Sequence, residues 1–296
     1  MGSKIRVPAK WVLIGEHVVL RGATAITLPH PEFALEVDWD QGTTPFQADP
    51  FHIQDTVLSL YAQLAQRAPV RPLQGLMRFQ NSIPIRAGVG SSAALCVALV
   101  RLCVDWASLE KAREPDPSWL DEDGDLLSSE ELVQQLARIL EDTFHGKSSG
   151  MDVAAVSFGA PMSFDLEGGA SPLGLRRLPE FRFTDTGLRA STRECVLQVQ
   201  EWFRADEVRA RQADLELGQA SLLARKALKE YDSGSTPAGL QHLAEAMQVA
   251  HTHFERWGLL TDSIREQVRS LRKQGALAVK LTGAGKGGFL VSLWEH

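Results

Sequence analysis

A glycine–serine junction between a strand and an apolar run most constrains the fold of this 296-residue chain. The segment Gly88-Val89-Gly90-Ser91-Ser92 follows the strand-like run 76–85 and leads into the apolar run from Ala93 to Trp106. Polar residues interrupt that run only at Arg101 and Asp105, which predicts a helix buried on most sides. Glycines allow close backbone approach, and a helix start offers unpaired N–H groups and a positive dipole end. The junction therefore predicts a phosphate-binding site.

The spacing of this junction argues against two common nucleotide-binding motifs. No lysine follows the glycines as a Walker loop requires, and the third glycine of a dinucleotide fingerprint is absent. A structural alternative stays open at this point, because Ser91 or Ser92 is also a suitable helix N-cap.

Composition limits the classes of protein to consider. With 44% hydrophobic and 23% charged residues, the chain can bury a full core and suits two modest domains. A net charge of -6 argues against binding nucleic acid or anionic membrane through a basic face. No apolar run approaches the roughly 18 residues of a membrane span, and no secretory leader pattern is present. The three cysteines lack metal-type spacing, so we expect reduced, buried thiols and a cytoplasmic protein.

Hydrophobic periodicity predicts both strands and helices along the chain. The predicted strands are 11–14, 18–20, 33–37, 76–85, 276–281 and 289–293, with short strand-like pieces after residue 161. The predicted helices are 53–66, 93–106, 128–145, 208–230 and 240–254. A capping-box pattern, Ser128-x-x-Glu131, starts the third helix, and Gly146 is expected to stop it. We expect two domains, residues 1–170 and 171–296.

A polar segment from Glu141 to Asp152 places two acids and His145 around the end of a predicted helix. Magnesium requires hard oxygen ligands, and a phosphoryl acceptor requires its hydroxyl proton to be taken or steered. Glu141 and Asp152 are candidates to divide these tasks. The structural alternatives are a solvated helix acid at Glu141, a C-terminal helix cation at His145 and an N-cap at Asp152.

Lys10 lies in a mostly apolar run close to Glu16 and His17. A buried lysine is costly unless it is paired with a carboxylate, and an Asp152–Lys10 pair would meet that need. The alternative is an edge-strand lysine that points to water. A separate polar, cationic cluster is a candidate to hold an acidic substrate, although surface solvation explains it equally well: Arg189, Ser191, Thr192 and Arg193.

Three motifs resemble, in order, those of the GHMP kinases, which are named for galactokinase, homoserine kinase, mevalonate kinase and phosphomevalonate kinase. They are Pro8-Ala9-Lys10-Trp11-Val12-Leu13-Ile14-Gly15-Glu16-His17, Gly88-Val89-Gly90-Ser91-Ser92-Ala93-Ala94 and Lys280-Leu281-Thr282-Gly283-Ala284-Gly285-Lys286-Gly287-Gly288. The Gly-Glu-His opening, the His145-Gly-x-x-Ser149-Gly-x-Asp152 segment and the third motif are most similar to mevalonate kinases within this family. The resemblance implies an α+β, two-domain fold: an N-terminal domain like domain 2 of ribosomal protein S5 and a ferredoxin-like C-terminal domain, with ATP between them.

The resemblance also implies a role for each matching residue. Asp152 is similar to the catalytic aspartate and Lys10 to its cationic partner, while Ser92 and Glu141 resemble Mg²⁺ ligands. The implied ATP-binding residues are Gly88, Val89, Gly90, Ser91, Ser92 and Ala93. The implied substrate contacts are Glu16, His17, Ser149, Thr192, Gly283, Ala284 and Gly285. Gly287 and Gly288 are expected to give the last loop freedom to turn. Two positions depart from the family pattern, since Lys286 replaces a common glycine and Leu95 replaces a tyrosine of the animal enzymes.

The function implied by the resemblance is ATP-dependent phosphorylation of a small alcohol. Mevalonate, converted to 5-phosphomevalonate in isoprenoid precursor synthesis, is the expected acceptor. The alternatives are phosphomevalonate, a sugar or homoserine as acceptor, or a nucleotide-binding paralogue without activity. The expected cofactors are ATP and Mg²⁺, and the resemblance is compatible with a homodimer.

Overall fold

The computed structural model of the chain describes residues 2–112, 115–121, 123–145 and 148–295. The expected helix stop at Gly146 and the expected cationic role of the His145 side chain lie outside what is described. The described residues form a mixed α+β fold, as the motifs predicted. None of the described helices is long and apolar enough to cross a membrane.

The described chain divides into two compact units that interleave along the sequence. Unit 1 comprises Met1–Ala9, His30–Ile83 and Gly90–Gly159, and unit 2 comprises Lys10–Pro29, Pro84–Val89 and Ala160–His296. The first two strands each contribute residues to both units. These units are discontinuous, whereas the expected domains 1–170 and 171–296 are continuous, and the latter division stays a prediction.

The described residues of unit 1 combine the edge of a sheet with five α-helices. Its strands are β1 (Gly2–Ile14, in part), β2 (Ala25–Pro45, in part), β3 (Gln47–Asp49) and β4 (Gln74–Asn81). Its helices are α1 (Gln54–Leu64), α2 (Ser91–Cys103), α3 (Trp106–Glu110), α4 (Ser129–His145) and α5 (Met151–Phe158). Strand β4 pairs antiparallel with β2, with Val37 opposite Phe79, and parallel with β3. Helices α2, α4 and α5 pack against one another.

Helix α2 is buried on most sides, as predicted, but it is shorter than predicted. It ends at Cys103 because Val104 is extended and forms a bridge with Val70. The predicted strand 76–85 also ends early. The Asn81 side chain accepts a hydrogen bond from the Ile83 amide at 3.0 Å, which closes a turn.

The predicted capping box at the start of α4 is confirmed. The Ser128 amide donates to Glu131 Oε2 at 2.9 Å, and the Glu131 amide donates to Ser128 Oγ at 3.4 Å. The two contacts satisfy donors that a helix start leaves unpaired. They fix the beginning of the helix that carries Glu141.

The part of unit 2 that the structure describes contains two sheet regions and four α-helices. Residues Ala25–Thr27 of β2 pair with β5 (Met162–Asp165), which pairs with β6 (Gly169–Pro172). A second, antiparallel sheet has the order β7 (Glu180–Asp185), β9 (Phe289–Trp294), β8 (Ala278–Thr282). The helices are α6 (Thr192–Ala205), α7 (Glu207–Asp232), α8 (Thr236–Arg256) and α9 (Asp262–Lys273). Apolar residues of β1, α7, α8, β8 and β9 form one core, which includes Trp11, Leu13, Leu217, Met247, Leu281 and Leu290.

The prediction of a strand at 18–20 is wrong, because Val18–Arg21 forms a 3₁₀ turn. Gly15 has φ 106° and His17 has φ 64°, so the chain reverses direction after β1. The Val19 amide then donates to the Gly15 carbonyl at 3.1 Å. Val18 and Val19 are buried within this turn, so their apolar character reflects burial and not strand pairing.

The three cysteines are buried and unbridged, which confirms the prediction of reduced structural thiols. They are Cys96, Cys103 and Cys195. Helices α6 and α9 were not predicted from the sequence. Both helices are largely polar, so an apolar run does not mark them.

Candidate active site

The glycine–serine junction lies in the segment between β4, which ends at Asn81, and α2, which begins at Ser91. Gly88 and Gly90 have φ of 77° and 82°, a left-handed conformation that glycine adopts readily. Gly90 is the N-cap of α2, and it has no side chain to bond the first amides of that helix. The alternative in which Ser91 or Ser92 is the cap is therefore wrong. The start of α2 retains amide donors suited to an anion.

The third glycine-rich motif is closely packed within unit 2. A Cβ atom at Gly283 would lie 3.0 Å from the Gly88 Cα, and one at Gly288 would lie 2.5 Å from the Ala87 carbonyl oxygen. A Cβ at Gly287 would lie 2.6 Å from the Leu188 carbonyl oxygen. The expected freedom to turn is used at Gly288, whose φ of 87° is left-handed, but not at Gly287. These positions require glycine because another stretch of backbone lies against them.

Lys286 adopts the left-handed conformation, with φ 57°. A non-glycine residue pays about 1–2 kcal/mol for this conformation, which explains why glycine suits the position. The Lys286 amide donates to the Leu259 carbonyl at 2.9 Å and holds the loop there. Burial raises the pKa of the Cys195 thiol, and the Lys286 ammonium partly offsets that rise. Leu95, the other departure from the family pattern, is buried in α2.

Glu141 is buried in unit 1, with only 2% of its surface exposed, so the solvated-acid alternative is wrong. Ser148 Oγ donates to Glu141 Oε2 at 2.7 Å. The Glu141 carboxylate also contributes to raising the pKa of the Cys96 thiol, after burial, and so lies close to α2. Cys96 follows Ser92 by four residues, and residues at this spacing share one helix face. The structure therefore directs Glu141 toward the face of α2 that carries Ser92.

A hydroxyl and a carboxylate are hard oxygen donors, which fits the expected magnesium ion. No cluster of three or more His, Cys, Asp or Glu side chains with metal-site geometry occurs among the described residues. In nucleotide-dependent enzymes Mg²⁺ binds through one or two protein carboxylates together with phosphate oxygens and water. Ser92 and Glu141 stay the predicted ligands.

Asp152 lies in the first turn of α5, whose N-cap is Gly150 with φ 85°. The alternative in which Asp152 is the N-cap is therefore wrong. The preceding loop is ordered by two serine side chains: Ser148 Oγ accepts from the Gly150 amide at 3.1 Å, and Ser149 Oγ accepts from the Met151 amide at 3.3 Å. This loop connects the Glu141 helix to the Asp152 helix within unit 1.

Lys10 is buried in unit 2, with 3% of its surface exposed, so the water-facing alternative is wrong. Its Nζ donates to the Gly88 carbonyl at 3.3 Å, and its amide donates to the Val89 carbonyl at 3.1 Å. Both contacts connect β1 to the glycine–serine junction. The predicted Asp152–Lys10 pair joins residues of different units and stays a prediction.

Glu16 and Lys280 form a buried ion pair that the sequence did not reveal. Lys280 Nζ donates to Glu16 Oε1 at 2.6 Å, and the Lys280 side chain is fully buried. Lys280 stands in the third motif, but motif matching gave it no role. Lys280, like Lys10, is a charged residue in an apolar strand, and this pattern indicates a buried lysine that requires a carboxylate partner.

His17 lies in a buried setting on the turn after β1. Its Nε2 is 2.8 Å from the Ala284 carbonyl oxygen, so this nitrogen carries the proton and donates. The ring packs edge-on against Phe254 and Trp257. Burial lowers the pKa of His17 to about 4, with a smaller opposing contribution from the Ala284 bond and a lowering one from Lys280. His17 is therefore neutral near pH 7.

His17 also lines a cavity of about 210 Å³ within unit 2. Val196, Val199 and Phe203 form its apolar part, and Arg204 brings a guanidinium to it. The cavity therefore combines apolar surface with a cation.

The predicted cationic cluster of unit 2 is only partly available to a ligand. Arg189 forms a bidentate ion pair with Asp185, with both contacts at 2.7 Å. Ser191 is the N-cap of α6 and accepts from the Glu194 amide at 3.4 Å. Thr192 is the first residue of this helix and is exposed. Thr192 and Arg193 are exposed, and neither takes part in the Asp185 ion pair or in the cap of α6.

The neutral state of His17 predicts acid sensitivity. Burial also lowers the pKa values of His30 and His251 to about 4, from an ordinary value of 6.5. Below about pH 6.5 these histidines become protonated in the unfolded chain but stay neutral in the folded chain. The free energy of unfolding therefore falls as the pH drops from 6.5 toward 4. We expect the free energy of unfolding to fall by at least about 2 kcal/mol between about pH 7.5 and pH 5.

Urea denaturation followed by circular dichroism at the two pH values measures this change. A His17→Gln variant is expected to show a shallower pH dependence than the wild type. Equal stability of the wild type at both pH values would contradict the prediction.

Comparison with known proteins supports the resemblance seen in the motifs. Residues 55–160 match the family described as GHMP kinases N terminal domain, and residues 224–296 match GHMP kinases C terminal. The mevalonate kinase of Aeropyrum pernix is 27% identical, over 99% of this chain and 89% of the relative.

Two solved structures show the same fold. The L. major mevalonate kinase in complex with R-mevalonate has a TM-score of 0.74 at 23% identity, covering 98% of this chain and 86% of that one. The Streptococcus pneumoniae phosphomevalonate kinase has a TM-score of 0.69 at 15% identity, and the match covers 99% of this chain and 92% of that chain. The two matched regions together span more than half of the chain, which therefore belongs to the GHMP kinase family of small-molecule kinases.

Proposed function

We propose that this protein transfers the γ-phosphate of ATP to mevalonate and forms 5-phosphomevalonate. The observation that carries the proposal is the alignment with a mevalonate kinase over nearly the whole chain. The site residues are compatible with it, because an uncapped helix start, a buried carboxylate and a buried lysine are the groups that phosphoryl transfer uses.

The proposed step is a direct transfer. The acceptor hydroxyl oxygen forms a bond to the γ-phosphorus as the bond to the bridging oxygen of ADP breaks. Asp152 takes or steers the hydroxyl proton, and the Lys10 ammonium offsets negative charge at the acceptor. Amides at the start of α2 hold phosphate oxygens. Mg²⁺, held by Ser92 and Glu141, would neutralise charge on the phosphates.

The residues around His17 are suited to an acidic, branched acceptor. His17 presents a neutral ring fixed by the Ala284 carbonyl, and the neighbouring cavity offers valines and the Arg204 guanidinium. A carboxylate is attracted by the cation, while an apolar methyl group packs against the valines. Thr192, Ser149 and Gly283 to Gly285 complete the proposed acceptor contacts.

A second acceptor class needs to be tested, because the fold is shared with a phosphomevalonate kinase. A coupled ADP-release assay with mevalonate, phosphomevalonate, galactose and homoserine separates the candidates. We expect kcat/KM to be at least about tenfold higher for mevalonate than for the others, a difference of about 1.4 kcal/mol. Omission of Mg²⁺ should abolish turnover.

A higher kcat/KM with another of the four acceptors would show that the protein has a different substrate specificity within the GHMP kinase family. ATP binding without transfer to any of the four acceptors would support the inactive nucleotide-binding alternative. A cytoplasmic location and a homodimer stay predictions of the sequence.

A further inference from the structure

Lys280 occupies an unusual position for a charged residue, since its side chain is fully buried in β8. Its Nζ donates to Glu16 Oε1 at 2.6 Å and to the Val12 carbonyl at 3.2 Å, and it lies 5.4 Å from the centre of the Phe254 ring. The ammonium is therefore held from three directions. A buried ammonium requires such compensation.

Glu16 is the carboxylate at the centre of this arrangement and is also buried. Two ammonium groups act on it, because both Lys280 and Lys10 lower its pKa against the larger raising effect of burial. The direct 2.6 Å contact belongs to Lys280, whereas Lys10 Nζ donates to the Gly88 carbonyl at 3.3 Å. The ammonium groups of Lys280 and Lys10 therefore both interact electrostatically with the Glu16 carboxylate.

Strand β8 keeps Lys280 in this position through a second attachment to β1. Thr282 Oγ1 accepts from the Val12 amide at 3.0 Å and donates to the Val12 carbonyl at 3.0 Å. Lys280 and Thr282 are two residues apart on one strand, so their side chains lie on the same face. Both of them bond to Val12.

We infer that Lys280 is a positioning residue which, by engaging Glu16, keeps the Lys10 ammonium directed at the glycine–serine junction. Without Lys280, Glu16 would be a buried carboxylate lacking its direct cation, and Lys10 is a nearby ammonium able to replace it. Lys10 would then move from the Gly88 carbonyl toward Glu16. The inference rests on the proposed function insofar as Lys10 serves phosphoryl transfer.

The test is a double-mutant cycle with Lys280→Met and Glu16→Gln. In the wild-type background, Lys280→Met is expected to lower kcat at least about tenfold while the KM for ATP changes less than about threefold. In the Glu16→Gln background, the same substitution is expected to change kcat less than about threefold, because no carboxylate remains to attract Lys10. A purely structural role would give a similar loss in both backgrounds, and that result would overturn the inference.

Two further variants make the cycle decisive. Lys273→Met makes the same change at an exposed lysine of α9 and is expected to leave kcat unchanged. Lys280→Gln keeps a donor toward Glu16 but loses the charge, and it replaces Lys280→Met in the cycle if the latter does not fold.

A crystal structure of the Lys280 variant separates this inference from the proposed function. We expect Lys10 Nζ to leave the Gly88 carbonyl and lie within hydrogen-bond distance of Glu16. If the wild type phosphorylates none of the four acceptors, the proposed function fails, and the position of Lys10 still decides the role of Lys280. Lys10 unmoved in that structure would refute the inference.

Discussion

Asp152→Asn is expected to lower kcat by at least about a hundredfold while the KM for ATP changes little, because the neutral amide cannot take the acceptor proton. The side chain keeps its size at the start of α5, so the fold is expected to persist. Steady-state kinetics with saturating ATP and mevalonate measures the effect. Circular dichroism establishes that the variant is folded.

A matched control is available in the same unit. Asp55 is an acid in the first turn of α1, as Asp152 is in α5. Asp55→Asn removes a similar favourable interaction with the helix dipole, worth about 0.3–1 kcal/mol, and is expected to leave kcat unchanged. If Asp152→Asn keeps wild-type turnover, the assignment of the proton-accepting residue is wrong.

Gly15→Ala is expected to lower the free energy of unfolding by about 3 kcal/mol or more. The added Cβ would lie 2.4 Å from the Ala25 Cα and 2.9 Å from the Thr24 carbonyl oxygen. Gly15 also has φ 106°, which alanine adopts only with strain. Because both clashing groups include backbone, relief requires movement of the turn that carries Glu16 and His17. Urea denaturation monitored by circular dichroism measures the loss.

Gly22→Ala tests the separate effect of backbone conformation. Gly22 ends the same 3₁₀ turn with φ 94°, but its added Cβ would meet no atom within 4 Å. We expect a loss of only about 1 kcal/mol from the left-handed conformation. Equal losses for the two variants would show that close approach at Gly15 does not contribute.

The sequence predicted most of the helices and strands that carry the site. The apolar run after Ser92 marked α2, and the Ser128-x-x-Glu131 pattern marked the start of α4 with its capping contacts. These features depend on near neighbours in the chain, so local rules suffice. The strand assigned to residues 18–20 was wrong because left-handed residues at 15 and 17 reverse the chain.

The candidate residues were found by motif, but several of their roles needed the structure. Glu141 and Lys10 each had a solvent-exposed alternative, and burial excluded both alternatives. The sequence predicts freedom to turn at Gly287 and Gly288, and the φ of 87° at Gly288 agrees with it. The close approach of backbone at Leu188 and Ala87 to these glycines became visible only in the structure. No spacing rule predicts which distant backbone will lie against a glycine.

The sequence by itself indicated the family, the glycine–serine segment before a buried helix and the set of acids and cations from which a kinase site is proposed. Only the tertiary structure decided that Glu16 pairs with Lys280, 264 residues away in the chain, and that His17 bonds the Ala284 carbonyl. The physical reason is that ion pairing and pKa values depend on burial and on groups brought together by folding. The spacing of residues along the chain determines neither the burial of a side chain nor its distant neighbours.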